Sequence, residues 1–204
     1  KRTVDIEYEY PFGRKELYGL AYRGNFDLTQ HEKFSGQDLK YTDPENPKEK
    51  FLPHVIEPTW GVDRSILVAM LEAYHEEKVK TENEKGKNNE DESEIRVVMR
   101  FPKWLAPVKV AILPLSKKEE LAKVAKPLCA ELSKEFACEY DETQSIGKRY
   151  RRQDEIGTPY CVTVDFETIN DQAVTVRDRD TMKQERVKIS ELKNYLVDKL
   201  ASFS

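Results

Sequence analysis

Residues 57–71 read Glu57-Pro-Thr-Trp-Gly-Val-Asp-Arg64-Ser-Ile-Leu-Val-Ala-Met-Leu71. A strand-like run over residues 51–56 leads into this segment, and Pro58 stiffens the backbone because its ring fixes φ. Gly61 has no Cβ, so the chain can turn there or approach a ligand closely. Apolar residues then recur at every fourth position from Val62, which predicts a helix. The sequence therefore places an acid, a hydroxyl, a glycine and an arginine where a strand gives way to a helix.

Arg64 lies in the first turn of this predicted helix, where the helix dipole disfavours a positive charge. A cation in that position suggests an anionic ligand nearby, and a phosphate group would fit. Surface pairing of Arg64 with Asp63 or with Glu57 explains the same residues without any ligand. From these residues alone, both interpretations stay open.

Five segments of the chain resemble one family. Residues 57–71 resemble motif 3 of class II aminoacyl-tRNA synthetases, in the glycyl-tRNA synthetase version that reads E-P-S-x-G-x-x-R before an apolar helix. Residues 12–23, 26–31, 145–157 and 174–181 resemble the same family in the same order. The resemblance is to the bacterial homodimeric type and covers essentially the whole chain. It implies the C-terminal portion of such an enzyme, with motif 3 and the anticodon-binding domain.

The resemblance implies residues on the ATP side of an active site. These residues are Glu16, Leu17, Gly61, Val62, Asp63 and Arg64. Arg64 would be catalytic by holding the triphosphate, with Mg²⁺ bridging the phosphates. The Glu16 carboxylate would reach the nucleotide through a metal ion, the ribose or the base. Read without the family, Glu16 is equally a solvated strand acid.

The resemblance also implies residues on the amino-acid side. These residues are Glu57, Pro58, Thr59, Trp60 and Gly61. Glu57 would be available to the ammonium group of glycine, and Thr59 offers a hydroxyl. Thr59 stands where the family usually has Ser, and Trp60 where a small residue is common. Both add bulk, which either tightens the pocket against alanine or changes it.

The implied activity is that of a glycine–tRNA ligase. ATP would activate glycine to glycyl-adenylate, and the glycyl group would then pass to tRNA(Gly). Motifs 1 and 2 of the family are not found in the chain, so we expect the isolated polypeptide to be an inactive fragment of an enzyme that is a homodimer at full length. The alternative is a non-catalytic, synthetase-like nucleic-acid-binding protein, such as a polymerase accessory subunit, and a plain structural domain is a third interpretation.

Composition limits the class of protein and its partners. The chain has 204 residues, with 38% hydrophobic and 35% charged residues, which is typical of a highly charged globular protein. A net charge of −4 argues against a general nucleic-acid coat, so RNA contact must come from a local basic patch. The three cysteines lack the spacing of a metal site, and their odd number suits a reducing compartment. We expect a cytoplasmic protein with no membrane span and no signal peptide.

Two domains are predicted, and the fold class is α+β or α/β. Residues 1–94 are expected to form the C-terminal part of a class II antiparallel catalytic sheet, because residues 4–10 alternate as a half-buried strand and 16–22 form a second one. Residues 78–94 are almost entirely polar and are expected to be mobile. Residues 95–204 follow the order β-α-β-α-β-β-β-α, which predicts a mixed-sheet anticodon-binding domain.

Basic residues cluster in the second predicted domain. The residues predicted to contact tRNA are Lys148, Arg149, Tyr150, Arg151, Arg152, Arg177 and Arg179. Cations interleaved with an aromatic ring suit a single-stranded RNA loop, whose bases stack and whose phosphates pair. A helix with internal Arg–Glu and Arg–Asp pairs, followed by cross-strand pairs at Arg177 and Arg179, explains the same pattern without RNA.

Overall fold

The computed structural model describes residues 2–82 and 88–201, with the backbone alone for 80–82 and 88–93. Its contacts divide the chain into two compact units, Lys1–Ala69 and Met70–Ser204. Within the described ranges, no helix is long and apolar enough to cross a membrane.

The first unit contains a three-stranded antiparallel sheet of order β1-β2-β5. Its elements are β1 (Arg2–Tyr10), β2 (Gly13–Gly24), α1 (Phe26–Ser35), β3 (Tyr41–Thr42), β4 (Lys50–Phe51) and β5 (Val55–Trp60), followed by α2 (Val62–Ala73). The hairpin that the alternating pattern predicts is therefore confirmed, with β2 as the central strand. Helix α1 ends where Gly36 adopts a left-handed φ of 67°, as a glycine cap does.

A β-bulge interrupts the pairing of β1 and β2. Ile6 pairs with Tyr18, whereas Glu7 pairs with Glu16, so Leu17 is the extra residue. Bulges re-aim the side chains beside them. This bulge turns the Glu16 side chain to the same side as Gly19, where a Cβ added to Gly19 would lie 3.5 Å from the Glu16 carboxylate.

Strand β5 continues beyond the end that the sequence predicted for it. The prediction ended the strand at Ile56, but Val55–Trp60 all pair with β2, and Thr59 lies opposite Gly19. Pro58 is compatible with this pairing because β5 lies at the edge of the sheet, where a missing N–H is tolerated. Gly61 alone joins β5 to α2, so the junction is tighter than the sequence indicated.

The second unit contains a two-stranded hairpin and a five-stranded mixed sheet of order β12-β11-β10-β8-β9. Its elements are β6 (Tyr74–Glu82), β7 (Asn88–Met99), β8 (Val110–Pro114), α3 (Glu119–Leu132), β9 (Cys138–Tyr140), α4 (Ile146–Ile156), β10 (Tyr160–Val164), α5 (Thr168–Asp171), β11 (Ala173–Asp178), β12 (Gln184–Lys188) and α6 (Ile189–Ala201). Strands β9, β8 and β10 are parallel, and β11 and β12 are antiparallel. The predicted mixed sheet flanked by helices is confirmed.

Helices cover both faces of this sheet. One face packs against α3 and α6, whose Leu121 and Leu192 are fully buried. On the other face, Leu113 and Cys161 pack against Ile146 and Tyr150 of α4. Helix α4, which carries most of the predicted RNA-binding residues, therefore packs on the face opposite α3 and α6.

The hairpin β6–β7 differs from the sequence prediction. Residues 78–94 are expected to be mobile, and residues 83–87 lie outside the described residues. The segments on either side of 83–87 pair as antiparallel strands, with Tyr74 opposite Met99. Val98 is fully buried at the base of this hairpin. The two compact units divide at 69/70, and the domain boundary at 94/95 stays a prediction.

Candidate functional site

Glu16 and Arg64 meet at the junction of β5 and α2. The Arg64 Nη1 atom lies 3.2 Å from Glu16 Oε1 and donates to the Glu16 backbone oxygen at 3.1 Å. Neither of the surface partners that the sequence left open, Asp63 or Glu57, pairs with Arg64. The structure therefore brings together two residues that were both predicted for the ATP side and that lie far apart in the chain.

A groove of about 400 Å³, here called the Arg64 groove, opens beside this ion pair. It is lined by Tyr10, Phe12, Lys15, Glu16, Arg64 and Leu67. The Tyr10 and Phe12 rings stack with centroids 5.0 Å apart, and the buried Tyr10 hydroxyl has no hydrogen-bond partner in the described part of the chain. Stacked rings beside two cations and one acid suit a ligand with a planar group and an anionic group. The sequence had not singled out Tyr10, Phe12, Lys15 or Leu67.

Glu57 lies on β5 and is already paired. Its Oε2 atom accepts from Arg23 Nη1 at 2.8 Å, and Arg23 also binds Asp27 at 2.5 Å. Hydrogen bonding and charge from Asp27, followed by those from Glu57, raise the pKa of the Arg23 guanidinium above its ordinary value. An incoming ammonium group would have to compete with Arg23 for Glu57, a partner that the sequence did not reveal.

The strand–helix junction itself is held by hydroxyl groups. The Ser65 hydroxyl donates to the Gly61 backbone oxygen at 2.8 Å and lies 2.8 Å from the Tyr18 hydroxyl. Thr59 and Trp60 are exposed, and the Trp60 ring packs 5.8 Å from the Tyr18 ring. For the other predicted residues here, Leu17, Pro58, Val62 and Asp63, the described part of the chain shows no side-chain hydrogen bond or ion pair to Glu16 or Arg64.

A second groove, of about 480 Å³ and here called the Arg177 groove, lies in the second unit. It is lined by Lys78, Val79, Arg96, Gly147, Tyr150, Arg151, Asp154, Arg177 and Met182. Four cations face one acid there, so the groove is basic although the chain as a whole is acidic. The Arg177 guanidinium lies 4.8 Å from the centre of the Tyr150 ring. A basic groove with an aromatic wall suits an unpaired nucleotide.

Three of the residues predicted for RNA, Tyr150, Arg151 and Arg177, line this groove. Arg151 binds Glu94 through Nη2 at 3.0 Å, while its buried Nη1 has no partner among the described residues. Lys148 is exposed but does not line the groove. Arg152 binds Asp141, an acid that the sequence had not connected with it.

Arg149 and Arg179 are interior residues. Arg149 is fully buried and donates to the backbone oxygens of Pro114 and Leu115, at the end of strand β8, and to that of Asp141. Burial lowers the pKa of Arg149 below its ordinary value. Arg179 is also buried and donates to the backbone oxygens of Gly157 and Phe101. In this structure these guanidinium groups bind backbone oxygens, and RNA contact by Arg149 and Arg179 stays a prediction.

A buried ionic network lies under the Arg177 groove. Arg96 binds Asp154 at 2.8 Å and Glu77 at 2.9 Å, and Arg177 binds both oxygens of Asp154. Burial by itself would lower the pKa of Arg96, but hydrogen bonds and charge from Asp154 and Glu77 raise it. Burial would raise the pKa of Glu77, but Arg100 and Arg96 together hold it below its ordinary value. The alternation of arginine and aspartate over residues 177–180 did not predict that Arg177 binds Asp154 or that Arg96 binds it too.

No cluster of three His, Cys, Asp or Glu residues within 2–82 and 88–201 is arranged to hold a metal ion.

Comparison with known proteins shows what the chain is similar to. The anticodon binding domain family matches residues 109–199. The glycine–tRNA ligases of Clostridium beijerinckii and Acetivibrio thermocellus are 53% and 54% identical over 95% and 97% of this chain, which spans 39% and 40% of their lengths. The crystal structure of prolyl-tRNA synthetase from Cryptosporidium parvum shares the fold with a TM-score of 0.66 and 20% identity, over 97% of this chain and 38% of that one. The chain is thus similar to a part, about 40%, of these glycine–tRNA ligases, and its residues 109–199 match the anticodon binding domain family.

Proposed function

We propose that the chain is the part of a glycine–tRNA ligase that supplies the motif 3 side of the active site and binds the anticodon loop of tRNA(Gly). The observation that carries the first half is the contact of Glu16 with Arg64 in one groove with stacked rings. Both residues were assigned to ATP from the sequence, and they lie 48 positions apart. Their pairing supports a site in which the Glu16–Arg64 ion pair opens and the two residues contact ATP instead.

In this proposal the groove contributes position and charge to the reaction. The Tyr10 and Phe12 rings pack against the adenine, and Arg64 leaves Glu16 to bind the triphosphate. Mg²⁺ carried by ATP supplies further charge neutralisation when it is bound. Glu57 holds the ammonium group of glycine once Arg23 releases it. The glycine carboxylate then attacks the α-phosphate and pyrophosphate leaves, so the site needs orientation and electrostatic stabilisation and no covalent help from a side chain.

The test uses the full-length protein that contains this chain. Arg64→Ala should lower glycine-dependent ATP–pyrophosphate exchange by roughly 100-fold or more, because it removes charge that stabilises the transition state. The matched control is Arg14→Ala, an exposed arginine that pairs only with Glu9 outside the groove. Exchange at the wild-type rate in Arg64→Ala would remove Arg64 from the site. Absence of ATP binding by the wild type would favour a non-catalytic nucleic-acid-binding protein.

The second half of the proposal assigns the RNA loop to the Arg177 groove. Tyr150 and Arg177 offer a stacking surface, and Arg151 presents a buried donor that has no partner among the described residues. Lys148 lies on the same helix and can pair with a phosphate near the groove. We propose that Arg149 and Arg179 support the groove from the interior without touching RNA.

Arg151→Ala tests this assignment in the chain itself. Binding of tRNA(Gly) should weaken by roughly 5- to 50-fold at fixed salt, as loss of a charged contact in a protein–RNA interface does. Lys123→Ala on helix α3 is the control, since Lys123 is exposed and pairs with Glu119 away from the groove. Equal losses of tRNA affinity in the two variants would mean that the net charge of the chain, and not the Arg177 groove, accounts for the effect.

Three broader properties also remain proposals. The domain division at 94/95 follows the family and would assign the hairpin β6–β7 to the catalytic side. We propose that the full-length enzyme is a homodimer and acts in the cytoplasm. Sedimentation of the full-length protein tests the first of these two properties, and cell fractionation tests the second.

A further inference from the structure

Asp154 sits on helix α4 with its side chain almost fully buried, at 1% exposure. Its Oδ1 atom accepts from Arg177 Nη1 at 2.9 Å, and its Oδ2 atom accepts from Arg177 Nη2 at 3.0 Å. Such a two-point pair fixes the plane of a guanidinium as well as its position. Asp154 therefore sets the orientation of Arg177 where Arg177 forms a wall of the Arg177 groove.

Arg96 fixes Asp154 in turn. Its Nε atom donates to Asp154 Oδ2 at 2.8 Å, and its other nitrogens donate to Glu77 Oε2 at 2.9 Å and to the Arg179 backbone oxygen at 2.5 Å. Arg96 lies on strand β7, outside the 109–199 match to the anticodon binding domain family. The hairpin thus contributes a fully buried anchor to a groove that the domain match alone would not complete.

Arg177 is only 6% exposed but lines the Arg177 groove, and the pair with Asp154 does not use all of its donors. A guanidinium carries five N–H donors, and Asp154 takes two of them. The remaining ones belong to a guanidinium that lies over the Tyr150 ring, 4.8 Å from its centre. Beside it, Arg151 Nη1 is buried without a partner in the described part of the chain. The wall is rich in donors, so it matches the acceptor atoms of an unpaired base or of its phosphate.

A buried arrangement of two arginines and one acid has no evident value for stability alone. Apolar residues of similar volume are often at least as stable as a buried ion pair. We propose that Asp154 is a positioning residue for RNA recognition: it holds Arg177 against Tyr150 while Arg96 holds Asp154. This inference rests on the proposed RNA-binding function of the Arg177 groove and assigns a new role to residues outside the predicted contacts.

A double-mutant cycle tests the inference on the intact chain with a tRNA(Gly) transcript. Asp154→Asn keeps the shape of the side chain but weakens the two-point pair, and it should weaken binding about 10-fold, equivalent to about 1.4 kcal/mol. Arg177→Gln should weaken binding at least as much. Because Asp154 acts through Arg177, the double variant should bind no worse than Arg177→Gln alone, whereas two independent roles would give losses that multiply.

Asp165→Asn is the matched control, because Asp165 pairs with Arg186 away from the groove. It should change thermal stability without changing tRNA affinity. If Asp154→Asn does not fold, Arg96→Lys replaces it, keeps the charge and should weaken binding by several-fold. Wild-type affinity in Asp154→Asn, or multiplying losses in the cycle, overturns the positioning role and leaves the proposed function intact. Absence of tRNA binding by the wild type overturns both.

Discussion

Arg149 is buried in helix α4 with its guanidinium directed at three backbone oxygens. Arg149→Met should lower the free energy of unfolding of the second unit by about 2–4 kcal/mol, because it removes the donor that serves these oxygens. The neighbouring Lys148→Met removes the same charge from an exposed position and should change stability by less than about 0.5 kcal/mol. Urea unfolding of both variants measures the difference. Loss of tRNA affinity in Arg149→Met without loss of stability would instead make Arg149 an RNA contact.

Gly157 ends helix α4 in a left-handed conformation with φ of 84°. A Cβ at this position would lie 2.6 Å from Phe101 Cδ2 and 2.8 Å from the Met99 backbone oxygen. Gly157→Ala should therefore destabilise the unit by about 3 kcal/mol or more, from backbone strain and the clash together.

Gly147 in the same helix is the control for this effect. A Cβ there would meet no atom of the described residues within 4 Å. Gly147→Ala should be neutral or stabilising by up to about 1 kcal/mol, since alanine loses less backbone freedom on folding. Thermal unfolding monitored by circular dichroism separates the two variants, and equal melting temperatures would contradict the close packing at Gly157.

At the scale of elements, the ion pairs of Glu77 link strand β6 to Arg96 and Arg100 of the chain that follows it. The pKa of Glu77 is lowered from 4.5, so its folded carboxylate releases its proton more readily than in the unfolded chain. Its contribution to stability is present above the unfolded pKa and is lost as the pH falls through the lower, folded value. The hairpin should therefore loosen in acid.

Glu77→Gln tests this dependence. Between about pH 7 and about pH 3, the wild type should lose more stability than the variant, because only the wild type must protonate Glu77 against its arginine partners. Asp141, Asp165 and Asp178 also have lowered pKa values, so both proteins should lose some stability. Melting temperatures measured across this range give the comparison. Parallel curves for the two proteins would exclude a stabilising role for the Glu77 carboxylate.

The elements that the sequence predicted well are those whose own pattern determines them. Alternation predicted the β1–β2 hairpin, and the order of elements over residues 95–204 predicted the mixed sheet, because these elements bury faces that their own residues define. Strand β5 and the hairpin β6–β7 depend on partners elsewhere in the chain. Local composition therefore predicted an end of strand β5 that is too early, and it predicted a mobile polar segment where β6 and β7 pair.

At the scale of the whole molecule, an acidic chain carries one localised basic groove. The net charge of −4 predicted that any RNA contact must be local, and the Arg177 groove has the composition that this requires. The sequence also singled out both Glu16 and Arg64. It missed Tyr10, Arg96 and Asp154, because their roles depend on contacts that only the fold creates.

We propose that the second unit recognises the anticodon loop of tRNA(Gly). The most direct measurement compares binding of the chain to tRNA(Gly) with binding to the same tRNA changed at its second or third anticodon base, at one stated salt concentration. We expect each change to weaken binding by about 1–3 kcal/mol, that is, roughly 5- to 150-fold, in line with the cost of a mismatched contact in a specific nucleic-acid complex. Equal affinity for all three RNAs, with a steep dependence on salt, would contradict the claim and leave only a non-specific electrostatic binder.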